Sequence, residues 1–157
     1  MKTLTGVFLL TLLIGCGGPG QNATVPEAQP AEESSSDIGE FTVHFSAQAT
    51  DQLPPDVARA YDIVRSKNRA MLTVSVIDNA SELPVTAAVT VKTQNLTGQL
   101  KNVTMREIRE PGDIEAIYYI GETPVANRET LIFDISVLPE GESSPSSVRF
   151  KREFYTD

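Results

Sequence analysis

The feature that most constrains this chain is a period of two. Phe41, Val43 and Phe45 alternate with Thr42, His44 and Ser46, and Leu72, Val74 and Val76 alternate with Thr73, Ser75 and Ile77. Val85, Ala87, Val89 and Val91 repeat the pattern, followed by Ile114, Ala116, Tyr118 and Ile120, then by Leu131, Phe133, Ile135 and Val137. Val103 with Met105, and Val148 with Phe150, mark two shorter runs. Successive side chains of a strand point to opposite faces, so each run has one apolar and one wet face, as antiparallel sheets require. Val, Ile, Thr and Tyr dominate these runs and suit a pleated surface. The breaks carry turn chemistry: Asn79-Ala80-Ser81, residues 95–98, Pro111-Gly112-Asp113 and Pro139-Glu140-Gly141.

About seven strands without helical crossovers predict an all-β domain over residues 37–157. The expected architecture is an antiparallel sandwich of immunoglobulin or fibronectin type, with a small closed barrel as the alternative. Residues 54–63 depart from the pattern. Pro54-Pro55-Asp56 opens a turn, and Val57, Ala58, Ala60 and Tyr61 suit a short helix. Lying between the first two strands, this segment is expected to cross from one sheet to the other.

The amino-terminal third is of another kind. After Lys2, residues 4–14 are apolar except for Thr5, Gly6 and Thr11, a length that suits a signal-peptide core and falls short of a bilayer span. The run ends in Leu13-Ile14-Gly15-Cys16, which resembles the bacterial lipobox. The resemblance implies a signal peptide at 1–15, cleavage before Cys16, and a diacylglycerol such as one carrying palmitate on that thiol. Two or three acyl chains anchor stably, since each buried methylene contributes about 0.8 kcal/mol. Gly17 in place of Asp implies, by the enteric sorting rule, the outer membrane rather than the inner. Residues 16–36 are rich in Gly, Pro, Glu and Ser without apolar periodicity and read as a tether. As flexible coil, such a tether reaches about 25 Å. The domain is thus expected on the periplasmic side of the envelope, attached to the membrane through Cys16.

Composition removes several function classes. A formal net charge of -8 argues against a nucleic-acid partner, because phosphate recognition needs a basic face. The single cysteine excludes an intramolecular disulfide framework, so the domain must stand on its hydrophobic core. One histidine, His44, and a lipid-bearing cysteine supply no convergent zinc ligand set, and Met71 and Met105 fit core positions better than a copper site. No Gly-x-Ser-x-Gly, His-Glu-x-x-His or Ser-x-x-Lys arrangement points to catalysis, and Ser66-Lys67 are adjacent rather than one helical turn apart. Carboxylate pairs such as Glu107 and Glu110 have the chemistry of an acid and a base, and the arginines beside them favour solvated strand edges instead. Four Asn-x-Ser/Thr sequons, beginning at Asn22, Asn79, Asn95 and Asn102, read as turn formers in a bacterial chain.

One stretch is distinctive: Ala58-Arg59-Ala60-Tyr61-Asp62-Ile63-Val64-Arg65-Ser66-Lys67-Asn68-Arg69-Ala70-Met71-Leu72. Together with Arg106-Glu107-Ile108-Arg109-Glu110, Ala116-Ile117-Tyr118-Tyr119-Ile120 and the terminal Phe154-Tyr155-Thr156-Asp157, it resembles a family of small exported proteins of gamma-proteobacteria, domain of unknown function 4426. The resemblance implies a periplasmic β domain over about residues 38–157 and carries no activity, cofactor or catalytic residue with it. This chain differs from many relatives in having a lipobox. Within the stretch, Arg59, Arg65, Lys67 and Arg69 form the one basic cluster of an acidic chain, with Tyr61 among them. Arg65, Lys67 and Arg69 would share a face of an extended segment and grip an acidic partner through charge-assisted bonds. The competing reading is an internal ion-pair network, to Asp56, Asp62 or Asp157. The expected function is a non-catalytic binding or accessory module with an envelope protein partner and no cofactor. A structural part of an envelope assembly, or a hydrolase with a non-standard site, is the alternative.

Overall fold

The computed structural model describes residues 33–157, and the expected signal peptide, Cys16 and most of the tether lie outside the described residues. Among the described residues nine strands run antiparallel in two sheets. In chain order they are β1 (Ser35–Ile38), β2 (Phe41–Ala49), β3 (Arg69–Asp78), β4 (Ala87–Asn95), β5 (Leu100–Lys101), β6 (Arg106–Glu110), β7 (Ala116–Pro124), β8 (Glu129–Pro139) and β9 (Ser146–Phe154). One sheet has the order β1-β2-β3-β7-β6 and the other β5-β4-β8-β9. Apart from the added edge strand β1, this is the strand order of an immunoglobulin sandwich: β2, β3, β7 and β6 stand as A, B, E and D, and β5, β4, β8 and β9 as C′, C, F and G. The sandwich is open, not a closed barrel.

The alternation dictates the core. Val43, Phe45, Leu72, Val74 and Val76 from the first sheet meet Leu131, Phe133, Ile135, Val137 and Val148 from the second. Phe150 fixes the layer spacing, with its ring 4.7 Å from Phe45 and 4.9 Å from Phe133, centroid to centroid. On β7 the inward residues are Ile117 and Tyr119, so Ala116, Tyr118 and Ile120 belong to the opposite face, and Ile114 is exposed before the strand begins. At Gly121 any Cβ would stand 2.6 Å from Val103 Cγ1 and 2.7 Å from Met105 Sδ. The glycine therefore lets the segment that leads into β6 pass close over β7.

Three sequence expectations need correction. Two strands were not foreseen, and Val103 and Met105 precede β6 rather than forming it. β1 begins at Ser35, so the last two residues assigned to the tether pair with Val43 and His44. A two-residue turn joins β1 to β2, with Gly39 at φ 71° in its first position. That backbone region costs glycine nothing and matches a hairpin turn with glycine leading. Third, residues 50–68 do not cross between sheets. β2 and β3 are adjacent and pair along their length, from Phe41–Asp78 to Ala49–Ala70. The connector instead folds back across the outer face of its own sheet.

Candidate functional site

The folded-back connector builds a concavity walled mainly by apolar groups. A 3-10 turn (Thr50–Gln52) leads into α1 (Pro55–Ala60), with proline at the first helical position. The helix ends in a Schellman arrangement: Ile63 N–H donates to Ala58 O at 2.8 Å and Asp62 N–H to Arg59 O at 3.4 Å, with Asp62 at φ 53°. This reversal drives Ile63 down onto the sheet. Leu53, Ala58, Ile63, Met71 and Ile120 form a second buried cluster, separate from the core between the sheets. Tyr61, Ile108 and Tyr118 pack against it, half-buried.

Between connector and sheet lies a groove of about 190 Å³. Leu53, Val57, Tyr61 and Ile63 wall one side, and Met71, Tyr118, Ile120 and Ile108 the other. Thr73 and Glu110 supply its polar lining. Beyond Thr73 and Tyr118 the same face turns polar, with His44, Ser46 and Ser75 around a second hollow. The outer face of the other sheet is ordinary by comparison. Thr90, Lys92, Asp134 and Ser136 occupy it, and Asp134 pairs with Arg149 at 3.1 Å.

The basic stretch proves to be the fastening of this connector. Thr50, 0% exposed, donates its hydroxyl toward Val64 O at 2.8 Å and Ser66 O at 3.1 Å, and accepts from Ser66 N–H at 2.9 Å. Asn68 O then accepts from Val125 N–H at 2.9 Å, tying the segment to the turn after β7. The cations follow suit. Arg59 donates to Pro55 O, Arg65 to Asp51 O, Lys67 to Asp157 O, and Arg69 pairs with Glu122 at 3.3 Å. Arg106, from β6, donates to Tyr61 O. Of the five residues offered as a partner-binding cluster, Tyr61 alone lines the groove. Asp56 and Asp62, suggested as internal mates, are not the partners found, whereas Asp157 takes Lys67 through its main-chain oxygen.

Glu107 and Glu110 cannot share a substrate, because they face opposite sides of β6. Glu107 accepts from Arg109 Nε at 2.6 Å and from the Tyr119 hydroxyl at 3.1 Å. Arg109 also bonds Glu115 at 2.7 Å and Thr86 Oγ1 at 3.0 Å. The Arg109 bond holds the Glu107 carboxyl below its ordinary range, and the two carboxylates raise the Arg109 guanidinium further. Tyr119, 4% exposed, accepts from Ala87 N–H at 2.7 Å and so stitches the two sheets together. Burial pushes its hydroxyl up from the usual tyrosine value. This network is cross-sheet structure. Among the described residues no group of three or more His, Cys, Asp and Glu is placed to hold a metal ion.

A family model for a domain of unknown function, DUF4426, matches residues 35–157. The chain belongs to the DUF4426 family. A crystal structure of a DUF4426 family protein from Pseudomonas aeruginosa PAO1 has a similar fold, with a TM-score of 0.68 and 33% identity over 80% of this chain and 96% of that one. No curated protein matches the chain. The family match begins at Ser35, the first residue of β1, so the DUF4426 domain includes the hairpin that precedes β2. The groove itself went unread in the sequence. Its signal was the unbroken apolar run Ile117-Tyr118-Tyr119-Ile120, which needs cover on both faces of β7.

Proposed function

We propose that this DUF4426 protein is a non-catalytic binding module of the bacterial envelope, which receives a side chain of a partner protein in the largely apolar groove under residues 51–64. The observation that carries the reading is the asymmetry of the two outer faces. A sandwich needs apolar side chains only between its sheets, yet here Met71, Tyr118, Ile120 and Ile108 stand on the outside of one sheet. The connector covers them in part and leaves a lined hollow, the form that ligand sites take: apolar walls with few polar groups. The rest of the reading comes from the amino terminus. The run ending in Leu13-Ile14-Gly15-Cys16 would place lipid on Cys16, and the following segment would hold the domain clear of the membrane.

The test is photo-crosslinking in intact cells. A crosslinking amino acid at Val57, on the groove wall, is expected to trap a discrete envelope protein. The same group at Lys151, exposed on the other sheet, is expected to trap none. Equal products from both positions would remove the groove from consideration. In parallel, Cys16→Ser is expected to abolish palmitate labelling and release the protein from the membrane fraction. Unchanged sedimentation would overturn the anchor.

A further inference from the structure

Strand β6 carries four charged side chains around Ile108, and three of them are satisfied within the domain. Glu107 and Arg109 bond each other at 2.6 Å on the inward side, and Arg106 donates to Tyr61 O. The fourth is Glu110. Glu110 lines the groove and is half-buried, and among the described residues its carboxylate has neither a hydrogen-bond nor an ion-pair partner. By contrast, Glu107 and Glu115 bond Arg109, and Glu122 bonds Arg69. A partly desolvated carboxylate without a mate is unfavourable, and a cation beside it relieves that penalty. Among the described residues the arginines of the surrounding elements bond other groups: Arg106 with Tyr61 O, Arg109 with Glu107 and Glu115, Arg69 with Glu122, and Arg59 with Pro55 O.

Two tyrosines, Tyr61 and Tyr118, line the groove with Glu110. Tyrosine ring faces attract ammonium groups, and a carboxylate adds to that attraction. The remaining walls are aliphatic. A lysine side chain matches both demands, because its methylene stem covers apolar surface while its head seeks charge and hydrogen bonds.

We infer that the groove is a lysine-recognition site, with a partner's lysine laid along Met71, Ile108 and Ile120 and its ammonium on Glu110. This rests on the reading of the groove as a partner site and adds charge selectivity to it. The test uses the full chain held in phosphatidylcholine nanodiscs and three probe peptides: acetyl-Leu-Lys-Leu-amide and its norleucine and glutamate counterparts. Empty nanodiscs serve as the blank. Wild type is expected to bind the lysine peptide about tenfold or more tightly than the norleucine peptide, the range of a hydrogen bond to a charged group. Glu110→Gln is expected to erase that preference, and Glu110→Lys to turn it toward the glutamate peptide. A lysine preference that survives Glu110→Gln overturns the inference. Equal binding of lysine and norleucine peptides by wild type also overturns it, while leaving the groove as an apolar partner site. If no peptide binds, both readings fail together.

Discussion

Removing the hydroxyl of Thr50 should unfasten the connector that roofs the groove. Thr50→Val keeps the shape of the side chain but deletes three contacts, to Val64 O at 2.8 Å, Ser66 O at 3.1 Å and Ser66 N–H at 2.9 Å. One hydroxyl proton serves both carbonyls, and Val64 is 66% exposed, so water can replace part of that loss. The Ser66 N–H is worse placed, being half-buried and directed at a residue with no exposure. Stranding such a donor costs about 1–3 kcal/mol, and the middle of that range, about 2 kcal/mol, is the expected loss. For a domain of this size that lowers Tm by roughly 5–10 °C. Thermal melts followed by circular dichroism measure the drop, and amide hydrogen exchange locates it. Ser66 should lose protection in Thr50→Val and keep it in Thr50→Ser, which retains the hydroxyl. A Thr50→Val melt superimposable on wild type, with Ser66 still protected, would show that the hydroxyl is not the clasp.

Other consequences concern the ties between strands. Glu129 accepts from Lys101 at 2.8 Å, from Asn95 Nδ2 at 2.9 Å and from Ala126 N–H at 2.8 Å, and the side chains of the pair are 10% and 13% exposed. Glu129→Ala strands the Lys101 ammonium and is expected to cost about 3–5 kcal/mol in urea unfolding, with Lys101→Met in the same chain restoring part of it. Burial pushes the Glu129 carboxyl up, but the bonds from Lys101, Ala126 and Asn95 prevail and hold it below 4.5. The folded protein then binds that proton less readily than the unfolded one, so this contribution is full above about pH 4.5 and is lost as pH falls below it. Glu129→Gln should flatten that part of the acid profile, and identical profiles would remove the argument. Tyr119→Phe leaves the Ala87 N–H without its acceptor between the sheets and is expected to cost about 1–3 kcal/mol, read from the urea midpoint.

How much of this was legible in the sequence depended on which signal each residue sends. Strict alternation in β2, β3 and β8 identifies the inward residues directly, and Phe45, Val74 and Phe133 lie where the pattern puts them. Alternation fails on β7, where both faces are covered. Ile114 and Ala116 continued the period of Tyr118 and Ile120, yet that face is the outer one and Ile114 is 60% exposed. β1 was hidden for the opposite reason: Ser35, Ser36 and Asp37 have the composition of a linker, and only the glycine of the turn at Gly39 betrayed a hairpin. The short helix was readable from Pro55 and its alanines, but its destination was not. Nothing local tells a chain whether to cross between layers or return, because that is settled by Ile63 meeting Met71 and Ile120. The same gap explains the basic stretch. Its charges were visible, whereas the carbonyl oxygens that Arg59, Arg65 and Lys67 engage belong to backbone, which composition does not display.

The connector between β2 and β3 also bears on how such a domain can diversify. The two strands it joins keep their register by pairing from Phe41 to Ala49, whatever lies between them. Extending a surface excursion is inexpensive, since doubling a flexible loop adds only about 0.6 kcal/mol of closure entropy. Length can therefore be added within residues 51–57, between the Thr50 clasp and the stretch that resembles the family, changing the width and chemistry of the groove while the sandwich beneath stays unaltered. The groove in this architecture can thus be reshaped from its roof alone, with Glu110 and the apolar floor on the strands left as they are.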